Sequence, residues 1–119
     1  MSTLIVTPAT PRYNYWATVV RWVDGDTVWL TIDLGFRITT TTDFRSYGIN
    51  TPERGQPGYA EATARASALA PVGSTVLATT YKVPDKYGRW LVEVVANGVN
   101  VNETLVAEGL AVPYFGGTK

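Results

Sequence analysis

Apolar and polar residues alternate through YWATVVRWV (15–23) and again through DTVWLTIDL (26–34), the period-two pattern of half-buried strands. Asp24-Gly25 lies between them. Asp-Gly flanked by β-branched and aromatic residues predicts a tight hairpin turn, with the glycine taking the positive φ that such a turn needs. This leaves Asp26 unexplained, because aspartate is disfavoured at the head of a strand. Either the hairpin tolerates it or an acid is kept there for chemistry.

A turn at Gly35 leads into FRITTTTDFRSYGI (36–49), whose threonines and aromatics predict one long or bent third strand. NTPERGQPG (50–58) has the composition of a loop. YAEATARASALA (59–70) is alanine-rich, pairs Glu61 with Arg65 at i,i+4 and stops at Pro71 and Gly73, as a first helix should. STVLATTYKV (74–83) predicts a fourth strand, PDKY with Gly88 a turn, and RWLVEVVA (89–96) a fifth. After an Asn97-Gly98 turn, VNETLVAEG (101–109) predicts a short helix with Asn102 as N-cap and Gly109 as its stop. Residues 1–14 read as a loose leader and 15–119 as a single domain, its tail partly ordered by Leu, Pro, Tyr and Phe.

Three strands, a helix, two strands and a closing helix is the order of an OB-fold. That is a five-stranded Greek-key β-barrel with helices (α+β), the main helix falling between strands three and four. The four tryptophans all fall in strands and suit packing better than base stacking.

Composition narrows the chemistry. The 119 residues, 45% apolar, suffice for one domain with its own core. The chain has neither cysteine nor histidine. This excludes disulfides, thiolate zinc, cysteine nucleophiles, Ser-His-Asp triads and histidine bases. Hydrolysis would rest on carboxylates, Arg, Lys, Tyr, hydroxyls or an oxygen-bound cation. Ten basic and ten acidic residues cancel, so polyanion binding would depend on local clustering. The N-terminal stretch lacks the pattern of a signal peptide, and no segment is long enough to span a membrane. The expectation is a cytoplasmic protein, monomeric by default.

Four features have both ordinary and chemical readings. Asp24/Asp26 can be a turn or an acidic site. Arg45 can be a plain strand arginine, Asn50-Thr51-Pro52-Glu53 a proline-closed turn, and Asp85-Lys86-Tyr87-Gly88-Arg89 a charged hairpin tip. All four fall at strand ends, where a small barrel gathers its loops, and their chemistries complement one another. Asp26 and the Asn50 amide oxygen suit a hard cation. Arg45 and Arg89 suit phosphate oxygens, and Glu53 suits a base for water.

DGDTV (24–28), FRSYGINTPE (44–53), DKYGR (85–89) and VNETLVAEGLA (101–111) together resemble the staphylococcal nuclease family, in motif order and over nearly the whole chain. The resemblance implies Ca²⁺ as cofactor, with Asp26 as ligand and Thr51 giving a backbone carbonyl. Asn50 stands where the founding member has a second ligating aspartate, so the site carries one negative charge fewer. By the same resemblance Glu53 positions or deprotonates water, Arg45 and Arg89 hold the phosphate, and Lys86 and Tyr87 contact the nucleotide. Asp24 would be an acid behind Asp26 or simply the turn residue. The implied activity is largely sequence-nonspecific hydrolysis of DNA and/or RNA, preferably single-stranded or flexible. The competing expectation is a non-catalytic OB module that binds nucleic acid or protein, as part of a larger assembly or alone.

Overall fold

Tyr13–Asp24 (β1) and Thr27–Asp33 (β2) form an antiparallel hairpin in which Ala17 faces Ile32 and Asp24 faces Thr27. The computed structural model describes residues 13–85 and 87–114. Register shifts between Val19 and Arg21 and between Trp22 and Asp24 bend β1, as bulges do. Its first half pairs with Thr75–Pro84 (β5), Tyr13 opposite Thr80, while its remainder stays with β2.

The hairpin is where the sequence predicts it, but Gly25 serves another purpose. It is absent from the glycines with positive φ. A Cβ there would lie 2.8 Å from Thr51 Cγ2 and 3.0 Å from Ala62 Cβ. Glycine is needed because a loop and a helix press on the turn, a constraint set by residues far along the chain.

The third strand is shorter than FRITTTTDFRSYGI. Leu34 to Ile38 close a turn, with Leu34 N–H donating to Ile38 O at 2.9 Å and Phe36 and Arg37 at positive φ. Only Thr39–Ser46 (β3) pairs with β2. Gly48, at φ +81°, redirects the chain, and Ile49–Asn50 (β4) pairs instead with Val112–Pro113 (β8) of the tail. Residues 115–119 lie outside the described residues.

Trp90–Ala96 (β6) pairs antiparallel with β5 and, through Phe44↔Trp90, Arg45↔Leu91 and Ser46↔Val92, parallel with β3. This last pairing closes β1, β2, β3, β6 and β5 into a five-stranded barrel with two helices, the OB-fold. A two-residue strand, Val99–Asn100 (β7), extends β6 before the second helix.

Inside, Val19, Val28, Leu30, Val76, Val92 and Val94 are fully buried, each worth about 1.5–3 kcal/mol of transfer energy. The first helix, Tyr59–Leu69 (α1), turns Ala62 and Ala66 inward, and such small residues let it lie close to the barrel. Just past its end the Ala70 carbonyl accepts the Trp22 indole N–H at 2.9 Å. Trp22 is therefore core. Trp16 and Trp90 are exposed on the barrel surface.

Two local expectations give way to tertiary partners. The Arg65 fork grips Glu108 at 2.8 Å through both Nε and Nη2, tying α1 to the second helix, Val101–Ala107 (α2), instead of pairing with Glu61. The N-cap of α2 is Asn100, whose side chain accepts the Glu103 N–H. Asn102 is buried in the first turn, donating to Tyr47 O and Val92 O. Gly109 ends the helix region at positive φ, as expected.

Candidate active site

The β1–β2 turn, the end of β3 and the loop after β4 converge on Asp26. Its Oδ2 accepts the Thr51 backbone N–H at 2.9 Å and lies 3.5 Å from Arg45 Nη2. Its Oδ1 accepts the Thr27 hydroxyl at 3.3 Å. The strand pairing accounts for this gathering. Thr27 lies opposite Arg45, and the Ser46 amide donates to Asp26 O at 2.8 Å.

Arg45 is 92% buried, at 8% exposure. Nη1 donates to Ser46 O at 2.9 Å and Nη2 donates to Asn50 Oδ1. Its guanidinium carbon also lies 6.0 Å from the centre of the Tyr114 ring. Arg89 comes from the opposite side. Nε donates to Asp85 Oδ2 at 3.0 Å, Nη2 lies 2.8 Å from the same oxygen, and Nη1 donates to Thr27 Oγ1 at 3.2 Å. Thr27 thus links Arg89 to Asp26, the carboxylate that Arg45 meets directly.

Asp24 and Asp26 share this space unequally. Asp24 Oδ1 accepts the Asp26 backbone N–H at 3.0 Å. Burial, then the side-chain hydrogen bond with Asp26 and its charge, push the Asp24 pKa up to about 6. Burial works against ionisation of Asp26 too, but the hydrogen bond from Asp24, the Arg45 charge and the Thr51 N–H outweigh it and hold its pKa below the usual range. The two acids are pushed in opposite directions, so Asp24 is the first of the pair to take up a proton as pH falls.

Glu53 lies two residues beyond Thr51 on the exposed part of the loop. Gln56 fixes its backbone from both sides, accepting the Glu53 N–H at 2.8 Å through Oε1 and donating its own N–H to Glu53 O at 2.9 Å. Tyr87 is exposed at the β5–β6 turn, its ring 5.4 Å from the Arg89 guanidinium. Lys86 lies outside the described residues.

Two residues of the network, Thr27 and Asp85, are not singled out by the sequence reading. Asp85 is 9% exposed and accepts the Tyr87 and Arg89 N–H groups through Oδ1 while holding the Arg89 fork through Oδ2. The i,i+4 spacing of acid and arginine within DKYGR is the signal that could have revealed it.

For a cation, the chemistry is oxygen-only. Among the described residues no three acidic side chains gather, and Asn50 Oδ1 already receives Arg45. Yet Asp26 is ionised and the buried Thr51 Oγ1 beside it makes no hydrogen bond of normal geometry. A hard cation therefore fits this donor set, with few charges to hold it.

The barrel presents a buried acid from its first hairpin, Arg45 from the end of β3 and Arg89 from its β5–β6 turn, and it is at such loops that OB barrels meet oligonucleotides and oligosaccharides. The chain matches the family model of staphylococcal nuclease homologues over residues 43–119, and it belongs to that family. The match takes in Arg45, Asn50, Thr51, Glu53 and Arg89, while the Asp24–Thr27 hairpin precedes it. No curated protein matches the chain. Membership supports a nuclease-like or nucleic-acid-binding role. No helix among the described residues is long and apolar enough to cross a membrane.

Proposed function

We propose that the protein hydrolyses phosphodiester bonds in DNA and/or RNA with little sequence preference, using Ca²⁺. The observation that carries this reading is the gathering, from a strand and a turn, of Arg45, which meets Asp26 directly, and Arg89, which reaches it through the Thr27 hydroxyl. Two guanidinium groups, one beside a buried carboxylate and one a hydroxyl away from it, are suited to a phosphate diester near a cation.

Asp26, the Thr51 carbonyl and the Asn50 amide oxygen would hold the ion, Asn50 exchanging its Arg45 partner for it. A bound Ca²⁺ supplies Lewis-acid polarisation of the phosphate. Glu53 takes a proton from water as the water oxygen bonds to phosphorus. Arg45 and Arg89 hold the non-bridging oxygens and stabilise the added negative charge as the bond to the 5′ oxygen breaks. That oxygen takes a proton from solvent, and the other fragment keeps a 3′-phosphate.

Glu53→Gln removes the base and nearly preserves volume. The expected variant is folded and binds a single-stranded oligonucleotide in Ca²⁺, but loses most of its cleavage rate; wild type should lose cleavage in chelator. Wild-type cleavage undiminished by chelator would overturn the calcium requirement. A second reading, binding without cutting, is favoured by the engagement of Asn50 with Arg45 and by the lack of a third acid at the site among the described residues. It requires that neither protein cuts while both bind alike.

A further inference from the structure

The β2–β3 turn lies at the far end of β2 from Asp26, and its residues are poorly suited to its backbone. Ile38 N–H donates to Gly35 O at 2.9 Å, and the two central residues, Phe36 and Arg37, have φ of 56° and 63°. Two successive positive φ values define the tight hairpin turn that Asn-Gly fills best. A phenylalanine there is unfavourable, because its Cβ crowds the backbone in the left-handed region. Strain of this kind points to a use for the side chain outside the fold.

Phe36 contributes nothing to the core. It is 96% exposed, and Leu34 and Ile38 beside it are exposed at 40% and 56%. The tip is nonetheless held in shape, by the Leu34 N–H bond to Ile38 O and by Asp33 Oδ1, which accepts the Gly35 N–H at 2.8 Å. That second bond draws the adjacent acid back to the base of the turn, while Arg37 is exposed at the apex. Residues 34–42 contain no acid. Ala17 faces Ile32, so Trp16, 63% exposed, stands beside the same base.

These features favour one kind of partner. A projecting tip offers no recess to another protein's side chain, whereas fluid acyl chains close around any apolar projection. The Arg37 fork matches a headgroup phosphate, and its long stem lets the charge stay at headgroup depth while its neighbours sink. An indole such as that of Trp16 suits the boundary between acyl chains and water.

We propose that the β2–β3 tip inserts into the surface of a phospholipid bilayer, Phe36 leading, with Arg37 on headgroup phosphates and Trp16 at the interface. So few apolar side chains give a reversible attachment, not an anchor. The seven residues of β2 separate the tip from Asp26, about 23 Å of extended strand, so the two arginines of the candidate site remain in water on the attached protein. The attachment does not depend on the hydrolytic reading.

The test is cosedimentation of the intact protein with phosphatidylcholine vesicles, with and without phosphatidylserine. Wild type should bind, more tightly when phosphatidylserine is present. Phe36→Asn combined with Arg37→Gly gives the turn its preferred residues, so this double variant should melt higher than wild type yet bind vesicles at least about tenfold more weakly. Arg37→Gln should bind the mixed vesicles about fivefold more weakly, the effect of one basic residue. Phe36→Trp should bind like wild type, and bromine-labelled acyl chains should quench its emission beyond the quenching seen for wild type. Cleavage of an oligonucleotide free in solution should be unchanged in all three variants. Failure of wild type to bind the mixed vesicles overturns the proposal, as does equal binding by wild type and the double variant. A dimer, or a complex with a single-stranded oligonucleotide, that the double variant loses while wild type ignores vesicles assigns the tip to a second copy or to nucleic acid, and likewise overturns it.

Discussion

Arg45 and Arg89 bring the same guanidinium to the same neighbourhood by opposite means. Arg45 is sunk in the wall of the barrel, tied to a backbone carbonyl, an amide and a buried acid contributed by three segments. Arg89 stands on a turn that supplies most of its own support, since Asp85 fixes both the backbone and the fork of a residue four positions on. One arginine is part of the fold. The other is displayed by it. Removing the first should damage stability and activity together, whereas changes around the second should separate them.

The largest expected effect is that of Arg45→Ala. It strands Asp26 without its cationic partner, and breaking a buried pair in this way costs about 3–5 kcal/mol. Urea unfolding should show the loss directly, together with the disappearance of cleavage. Stability within about 1 kcal/mol of wild type would refute the structural half of the contrast.

Arg89→Lys comes next. It keeps the charge but not the bidentate fork, so turnover should fall by about 10²-fold. The melting temperature should barely move, and a large drop in it would make Arg89 as structural as Arg45. Asp85→Asn sharpens the same side of the comparison. The amide retains an acceptor for the turn but loses the charge under the guanidinium, so turnover should fall by about tenfold through a looser Arg89. Equal rates for this variant and wild type would remove Asp85 from the positioning of Arg89.

The smallest effect belongs to Asp24. Its folded pKa, raised to about 6 from 3.8, means that the native state binds more protons than the unfolded chain between those values. The resulting stabilisation is complete below the unfolded value and is lost as pH rises through the folded one. Asp24→Asn retains the acceptor for the Asp26 N–H but carries no charge. In metal-free buffer it should gain about 1 kcal/mol at neutral pH, a figure discounted for partial exposure. It should also flatten the decline in stability between pH 4 and 6. Parallel pH profiles for variant and wild type would place the proton elsewhere.

Much of this is legible in the sequence where the constraint is local. Alternation marks β1 and β2, the alanine run and its stops mark α1, and DKYGR carries both the turn and the acid that orients its arginine. The misreadings share one cause. Asn100 and Asn102 are equally good caps by chemistry, and the choice falls to Tyr47 and Val92, whose carbonyls claim the Asn102 amide. Arg65 has a suitable acid one turn away, yet Glu108 meets both arms of its fork. Gly25 looks like a requirement of turn geometry and is instead a requirement of space. The short β4, redirected at Gly48 and paired with the tail, has no periodicity to reveal it. Asp26, Arg45 and Asn50 are visible as candidates, but Thr27 joins them only through strand register.

The parallel seam between β3 and β6 has a kinetic consequence. Only three residue pairs make it, and they join segments separated by a helix and two strands, so its closure bears the entropy of a long intervening loop. Every other pairing of the barrel is antiparallel, and the β1–β2 and β5–β6 ladders link strands close in sequence and can form early. Arg45 and Arg89 sit on the two sides of this seam, so neither half-assembled sheet holds both. The pair exists only in the closed molecule. A polyanion bridging the two arginines would therefore act as a clasp, slowing the opening of the barrel at the place where its own binding energy is spent.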